Sequence, residues 1–189
     1  MEQSKDKYEF RVCWEPFLLR PNMPKDGIEK PAQYKAASGH LKSSGESVGI
    51  DFTGKCQRFP YTLTAHVLMD YAKSVDDTCA KQNQLAEVIF QGYFTDGIYP
   101  DEENLLKMAA QIGLDQSAAK AAMQDSAKTQ EVYQTCLSWS EKGISGVPYF
   151  IMNGQKVFSG AQDEATILHM FEVISERFPL AADKPQSAM

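Results

Sequence analysis

Residues 149–159 constrain the fold more than any other part of the chain, because they predict a β-hairpin from local chemistry alone. Residues 149–152 and 155–159 are rich in β-forming side chains, and the dipeptide Asn153-Gly154 joins them. A type I′ turn needs positive φ at both central residues, which asparagine and glycine tolerate. Gly160 then ends the second strand, and Asp163 opens a helix. The apolar positions of this helix keep helical spacing: Ile167, Leu168, Phe171, Ile174 and Phe178.

Pro148 stands at the mouth of the first strand. A proline can begin a strand without loss, because its missing N–H is not needed there, and only about one X–Pro bond in twenty is cis in folded proteins. Local chemistry alone therefore favours an ordinary strand-starting proline. The order helix, Val-Pro, strand, tight turn, strand, helix resembles the second half of a thioredoxin fold. That resemblance implies a cis Val147–Pro148 bond and an extended backbone before the proline that faces a redox dithiol and pairs with substrate.

The chain before the hairpin begins with an alternating pattern and continues as a block of helices. Phe10, Val12 and Trp14 lie on one side of residues 8–14, which predicts a strand. Residues 26–55 are polar and rich in glycine and serine, with one short helix expected at about 31–42. Helical spacing then predicts five helices whose apolar and aromatic stripes form a core; they cover about 62–73, 82–94, 101–113, 115–123 and 126–142.

Composition excludes several classes of function. The net charge of −6 and the pI near 5.1 argue against a nucleic-acid-binding surface. No apolar run reaches the length that spans a bilayer. The polar first residues have no apolar segment after them, so nothing resembles a secretory signal. These observations predict a cytoplasmic protein that binds neither nucleic acid nor membrane.

The cysteines and His66 are the residues with reactive side chains that stand out. Cys13, Cys56, Cys79 and Cys136 are scattered, so no pair forms a CxxC and no cluster has zinc spacing. We expect reduced, buried thiols with a structural role, and neither a metal nor a cofactor. His66 could serve as a catalytic base, but no partner can be assigned to it. A packed, hydrogen-bonded histidine is the favoured interpretation.

Several stretches resemble the DsbA-like branch of the thioredoxin superfamily, and more narrowly its FrnE-type members. Residues 14–24 are similar to that family's strand and loop ending in Pro-x-Met-Pro, and residues 62–68 resemble its Asn-Thr-x-x-Ala-His helix, with Tyr61 at the asparagine position. Residues 90–97 resemble an aromatic helix end. Residues 144–150 and 159–162 match its Gly-Val-Pro-x-Phe and Ser-Gly-Ala-Gln signatures. Related groups are the 2-hydroxychromene-2-carboxylate isomerases and the kappa-class glutathione transferases.

The resemblance implies an α/β thioredoxin-like fold with an inserted helical subdomain. We expect a single domain over residues 8–178, a helical insertion at about 60–142 and a flexible tail at 179–189. The resemblance makes the cis form of Val147–Pro148 the favoured one. It also implies that Ser145, Gly146, Val147 and Pro148 bind the substrate, which in this family is a thiol- or disulfide-bearing protein or peptide.

The family's first strand, CxxC and redox helix have no counterpart before residue 8. In active members the first cysteine attacks a disulfide and the second resolves the mixed disulfide. We therefore expect an N-terminally truncated, redox-inactive or incomplete thiol-disulfide oxidoreductase without catalytic residues of its own. Loss of the central strand would leave its neighbours unpaired, unless they close up or a second chain pairs with them.

Two other functions stay open at this point. The vacated groove could make the chain a non-catalytic module that binds a peptide or partner by strand pairing. Unpaired strands would equally allow two copies to associate. A glutathione-dependent isomerase or transferase is the third reading, although the serine that replaces the redox cysteine in those branches would lie in the missing segment.

Overall fold

The computed structural model describes residues 1–34 and 40–180, and the chain divides into two compact units. The helical unit is Phe10–Lys142. The hairpin unit consists of Met1–Glu9 and Gly143–Met189, of which residues 181–189 lie outside the described part. The predicted tail at 179–189 therefore falls almost wholly outside the described residues.

The helical unit contains the helices that the sequence predicts. After β1 (Ile28–Glu29), α1 (His40–Glu46) and β2 (Arg58–Phe59), the elements are α2 (Leu63–Ser74), α3 (Ala80–Phe90), a π-helical segment (Gln91–Asp96), α4 (Glu102–Gln111), α5 (Gln116–Gln124) and α6 (Ser126–Glu141). Local signals set the limits of α4 and α5. The carboxylates of Asp101 and Asp115 accept backbone N–H groups of the first turns, and Gly113 with φ of 74° follows α4.

Two clusters of buried side chains hold this unit together. The larger lies where α2, α3, α4 and α5 meet, and Leu68, Leu85 and Leu105 in it have 0% of their surface exposed. The smaller joins α2 to α6 and consists of Leu18, Leu63, Val67, Val132 and Cys136. Most of these residues occupy the predicted stripes, although Leu68 and the loop residue Leu18 do not. Burial of apolar surface accounts for the helical packing.

The predicted strand at residues 8–14 is wrong. Among the described residues, strands occur only at Ile28–Glu29, Arg58–Phe59, Tyr149–Met152 and Gln155–Ser159. Alternating side chains predict a face for a strand but cannot supply the neighbouring strand whose backbone it must bond. Instead, the side-chain amide of Gln82 takes the place of that neighbour. Its Oε1 accepts the Trp14 backbone N–H at 2.8 Å, and its Nε2 donates to the Trp14 carbonyl at 2.9 Å.

The stretch at residues 26–55 was the least informative part of the sequence. The helix expected at about 31–42 is represented by a single 3₁₀ turn, Ala32–Tyr34, and by α1, which runs on to Glu46. Residues 35–39 lie outside the described part. The short antiparallel pair of β1 and β2 was not predicted, because its partners are about 30 residues apart in a polar stretch.

The hairpin unit confirms the prediction from Asn-Gly. Strands β3 (Tyr149–Met152) and β4 (Gln155–Ser159) pair antiparallel, with a bulge between Phe150 and Ile151. Asn153 and Gly154 have φ of 47° and 78°, as a type I′ turn requires. Helix α7 (Glu164–Arg177) follows, and the Asp163 carboxylate accepts the Thr166 N–H at 2.8 Å.

Candidate functional sites

The loop that leads into β3 holds the four residues that the sequence predicts as substrate-binding. Ile144, with 6% of its surface exposed, anchors its beginning. Ser145, Val147 and Pro148 are exposed and Gly146 is partly exposed. The Val147–Pro148 peptide bond is cis, the isomer that the resemblance implies. The four residues are therefore brought together on one accessible turn of backbone.

The backbone of this loop has hydrogen-bonding groups to spare. The Pro148 carbonyl accepts the Gly160 N–H at 2.8 Å, which fixes the loop to the end of β4. Within the described part of the chain, Ser145, Gly146 and Val147 make no hydrogen bonds. A Cβ at Gly146 would meet no atom within 4 Å. The loop thus presents unpaired N–H and C=O groups on an open side, which an extended peptide could bond.

Two of the cysteines form a disulfide that the sequence did not predict. Cys13 and Cys79 form a disulfide with an S–S distance of 2.03 Å and Cα atoms 5.4 Å apart. The expectation of reduced thiols is wrong for this pair, because a separation of 66 residues says nothing about proximity in the fold. Cys13 is exposed, whereas Cys79 has only 1% of its surface exposed.

Cys79 occupies the N-cap position of α3 in the left-handed region, with φ of 61°. This conformation costs an L-residue roughly 1–2 kcal/mol and is usually left to glycine. The neighbouring Asp76 carboxylate receives the Thr78 hydroxyl and backbone N–H and also the Lys81 N–H. These bonds, the Thr78 hydroxyl foremost, lower the pKa of Asp76 to about 2. The turn before α3 is therefore held by an ionised side chain.

The other two cysteines match the structural role expected of them. Cys56 and Cys136 are free and buried. The Cys56 Sγ lies 3.6 Å from the Arg58 carbonyl oxygen, which accepts its weak hydrogen bond. Burial raises the pKa of the Cys136 thiol to about 11, so it stays protonated at neutral pH and is a poor nucleophile. Among the described residues, no group of three or more His, Cys, Asp or Glu side chains could hold a metal ion.

His66 is packed and hydrogen-bonded, as favoured above. Its Nε2 lies 3.1 Å from the Phe17 carbonyl oxygen, which accepts the Nε2–H. Burial lowers the pKa of His66, and this effect exceeds the opposing effect of the bond to Phe17. His66 therefore has a structural role, in which its neutral ring bonds the Phe17 backbone to α2.

An exposed aromatic surface was missed, because aromatic residues on the predicted helices were assigned to the core and Trp14 was assigned to a strand. It consists of Trp14, Phe90 and Phe94, which have 37%, 41% and 40% of their surfaces exposed. The Trp14 and Phe90 ring centroids are 5.5 Å apart, and those of Phe90 and Phe94 are 6.1 Å apart. Phe94 lies in the π-helical segment, whose altered winding turns residues away from the stripe that an α-helix would continue.

Comparison with known proteins gives this architecture its class. The crystal structure of a "probable DsbA oxidoreductase" from Streptomyces coelicolor is similar, with a TM-score of 0.70 and 24% sequence identity; the match covers 86% of this chain and 75% of that one. This likeness shows an α/β thioredoxin-like fold with a helical insertion, as expected. Residues 1–172 match the DSBA-like thioredoxin domain model. The chain therefore belongs to the DsbA-like thioredoxin domain family.

Neither a curated relative nor, among the described residues, a helix that could span a membrane was found, as follows. No similar protein was found among curated proteins. Among residues 1–34 and 40–180, no helix combines the length and the apolar character needed to cross a membrane.

Proposed function

We propose that this DsbA-like chain binds extended segments of thiol- or disulfide-containing polypeptides along the backbone of Ser145, Gly146, Val147 and Pro148. The observation that carries the proposal is the hydrogen-bonding state of this loop. Three consecutive residues before a cis-proline have unused backbone groups, while Ile144 and Pro148 are fixed on either side. A loop held in this way loses little conformational freedom when a peptide pairs with it.

Pairing of the β-augmentation type fits the loop. Main-chain hydrogen bonds give such complexes their affinity, and they make few demands on the sequence of the bound segment. The open space beside Gly146 leaves room for the peptide backbone to approach. A surface of this kind suits unfolded polypeptides, which expose extended backbone.

Binding at this loop needs no dithiol. Main-chain hydrogen bonds suffice to hold the bound segment, so we propose that the loop acts as a docking site that does not depend on disulfide exchange beside the cis-proline. The motifs quoted above support the placement of this chain close to the FrnE-type members of the family.

Association of two copies through unpaired strands stays a prediction.

A cytoplasmic location also stays a prediction, and the Cys13–Cys79 disulfide bears against it. Disulfides persist mainly in oxidising compartments, because glutathione and thioredoxin keep cytosolic thiols reduced. Alkylation of lysates from the native cells would give the redox state of the pair. A pair found largely reduced would favour the cytoplasm.

The binding proposal is tested with a polypeptide that has no thiol. S-carboxymethylated insulin B chain serves as the probe, and isothermal titration calorimetry measures its Kd. Gly146→Phe fills the open side of the loop, and we expect it to weaken binding about tenfold or more, which corresponds to 1.4 kcal/mol. The matched control is Ala165→Phe, at an exposed position on α7 of the same unit, which should bind as the wild type does.

Amide hydrogen exchange locates the bound segment. Protection of residues 145–147 upon addition of the probe is the expected result, because their N–H groups have no hydrogen bonds without it. Equal affinity of the wild type and Gly146→Phe, together with unchanged exchange at the loop, would remove the basis of the proposal.

A further inference from the structure

The two ends of the Cys13–Cys79 disulfide differ in their accessibility. Cys13 is exposed, whereas Cys79 is buried at the start of α3. Thiol–disulfide exchange requires an incoming thiolate to reach one sulfur while the other leaves. Approach is open on the Cys13 side, so Cys79 is the leaving group.

The start of α3 has an unused donor for that leaving group. An N-cap side chain normally accepts the backbone N–H of the second or third helical residue. The Lys81 N–H is taken by Asp76 at 2.9 Å. For the Gln82 backbone N–H, no acceptor is found in the part of the chain that the structure describes. The oxidised Cys79 makes no side-chain cap bond either.

Reduction of the disulfide would allow the Cys79 sulfur to accept a cap bond. A thiolate at Cys79 carries a full negative charge and is a far better acceptor than a disulfide sulfur. At the N-cap it would meet the Gln82 N–H and the positive end of an 11-residue helix. Helix N-termini stabilise cysteine thiolates in this way. The Gln82 N–H and the helix N-terminus therefore favour a leaving thiolate at Cys79, while its burial and the nearby Asp76 carboxylate oppose the charge.

The aromatic surface begins at the residue after Cys13. Trp14, Phe90 and Phe94 form a continuous row of exposed rings. Contiguous exposed apolar surface marks sites of interaction. Because Trp14 directly follows the accessible Cys13 in the chain, the occupant of this surface is a polypeptide with aromatic or aliphatic side chains near a cysteine of its own. Such sequences are accessible in unfolded chains.

We propose that Cys13–Cys79 is a thiol–disulfide exchange site for unfolded polypeptides, with the surface of Trp14, Phe90 and Phe94 as its docking platform. This site lies in the helical unit and is independent of the proposed binding at residues 145–148. It differs from a CxxC site in joining cysteines 66 residues apart.

The reaction balances with two polypeptide thiols. The first thiol loses its proton to solvent, and its thiolate attacks the Cys13 sulfur. The Cys13–Cys79 bond breaks, a mixed disulfide forms at Cys13, and the electron pair goes to the Cys79 sulfur. A second thiolate of the polypeptide attacks the polypeptide sulfur of the mixed disulfide and releases Cys13 as a thiolate, which takes up a proton. The polypeptide is oxidised to a disulfide and the Cys13–Cys79 pair is reduced.

A disulfide that closes such a long loop could also be only a structural staple. The two roles predict different reactions of the native protein with thiols. We would incubate the oxidised full-length chain with a five-residue peptide that carries one cysteine between two phenylalanines. The comparison peptide has serines in place of the phenylalanines. Acid quenching and mass spectrometry then give the rate and the position of the adduct.

An exchange site predicts an adduct on Cys13 under native conditions, with Cys79 free. The phenylalanine peptide should react about tenfold faster than the serine peptide, since its rings can pack against the exposed rings of the platform. Phe90→Ala should bring the two rates close together. Val75→Ala, at another exposed apolar residue of the helical unit, should leave the preference intact.

A staple predicts other outcomes. The bond would then stay intact in the native protein and react only at urea concentrations that unfold it. An adduct on Cys79, or equal rates for both peptides in the wild type, would also overturn the proposal. Circular dichroism of Phe90→Ala before the reaction shows that the variant is folded. The insulin probe above lacks thiols, so failure of either proposal leaves the other standing.

Discussion

Different interactions determine the structures of the helical unit and the hairpin unit. In the helical unit, Leu68, Leu85 and Leu105 are wholly buried in a cluster to which four helices contribute. In the hairpin unit, Ile144 and Ile174 are the buried large apolar side chains of the described part, each with 6% exposed. Ile151, in the middle of β3, has 42% of its surface exposed. Burial defines the first unit, whereas backbone conformation defines the second.

This difference bears on function. The loop at residues 145–148 lies in the unit with little core. Its shape therefore depends on the hydrogen bond from the Gly160 N–H to the Pro148 carbonyl and on the hairpin beside it. Substitutions that compare core side chains with turn residues in the two units test this interpretation.

The largest effect is expected from Leu105→Ala. Truncation of a fully buried leucine removes transfer free energy and leaves a cavity, at a cost of about 3 kcal/mol. The matched change in the hairpin unit, Ile151→Ala, should cost less than about 1 kcal/mol, because the side chain is already 42% exposed. Urea titrations followed by tryptophan fluorescence report on the helical unit, which contains both tryptophans, Trp14 and Trp139. Amide exchange of α7 reports on the hairpin unit.

Equal losses of unfolding free energy for Leu105→Ala and Ile151→Ala would contradict this difference between the units. A loss of amide protection in α7 of Ile151→Ala as large as the loss in the helical unit of Leu105→Ala would contradict it too. Either result would mean that side-chain burial contributes as much to the hairpin unit as to the helical unit.

The next largest effect is expected from loss of the Gln82 amide. Gln82 is 1% exposed and bonds both backbone groups of Trp14. Gln82→Leu keeps most of the volume but leaves both groups without partners, which should cost about 2 kcal/mol. Gln82→Glu can still accept the N–H but, when ionised, cannot donate to the carbonyl. Raising the pH from 4 to 8 should therefore destabilise Gln82→Glu and leave Gln82→Leu unaffected relative to the wild type.

Much of the fold could be predicted where short-range chemistry decides it. The Asn153-Gly154 turn, the caps at Asp101, Asp115 and Asp163, and the buried stripes of α2 to α6 each depend on residues close in sequence. The four residues of the candidate loop came instead from the family resemblance of the motifs around Pro148, and their role in binding substrate stays a prediction. These predictions needed no knowledge of distant contacts.

The rest depends on residues far apart in the chain. The hydrogen bonds between Gln82 and Trp14 join residues 68 apart, and the disulfide joins residues 66 apart. The alternation at residues 8–14 looks the same whether a strand or a glutamine amide bonds the backbone. Exposure of Phe90 and Phe94 follows from the π-helical winding at Gln91–Asp96, for which the sequence has no clear signal.

A smaller effect is expected from Gly154→Ala. Gly154 has φ of 78°, and its Cβ would meet no atom within 4 Å, so only the backbone conformation is penalised. An L-residue in this region costs roughly 1–2 kcal/mol. The contrast between units predicts that this change destabilises the hairpin unit more than Ile151→Ala does. Amide exchange at β3 and β4 measures both. A smaller cost for Gly154→Ala would show that the turn does not define this unit.

The smallest effect concerns His66 and pH. Burial lowers the pKa of His66 in the folded chain, while the unfolded chain keeps a value near 6.5. Between these two values the unfolded state binds more protons, so stability is complete above about pH 6.5 and is lost as the pH falls below it. Between pH 7.5 and 5.5 the loss can reach about 1.4 kcal/mol, the limit for one proton over one pH unit.

Substitution separates this contribution from other titrating groups. His66→Gln keeps a donor for the Phe17 carbonyl but has no proton to bind in this range. Its stability should therefore fall less than that of the wild type between pH 7.5 and 5.5. Tryptophan fluorescence follows the helical unit, in which His66 lies, so parallel pH profiles for the wild type and His66→Gln would show that this buried histidine does not limit its stability in acid.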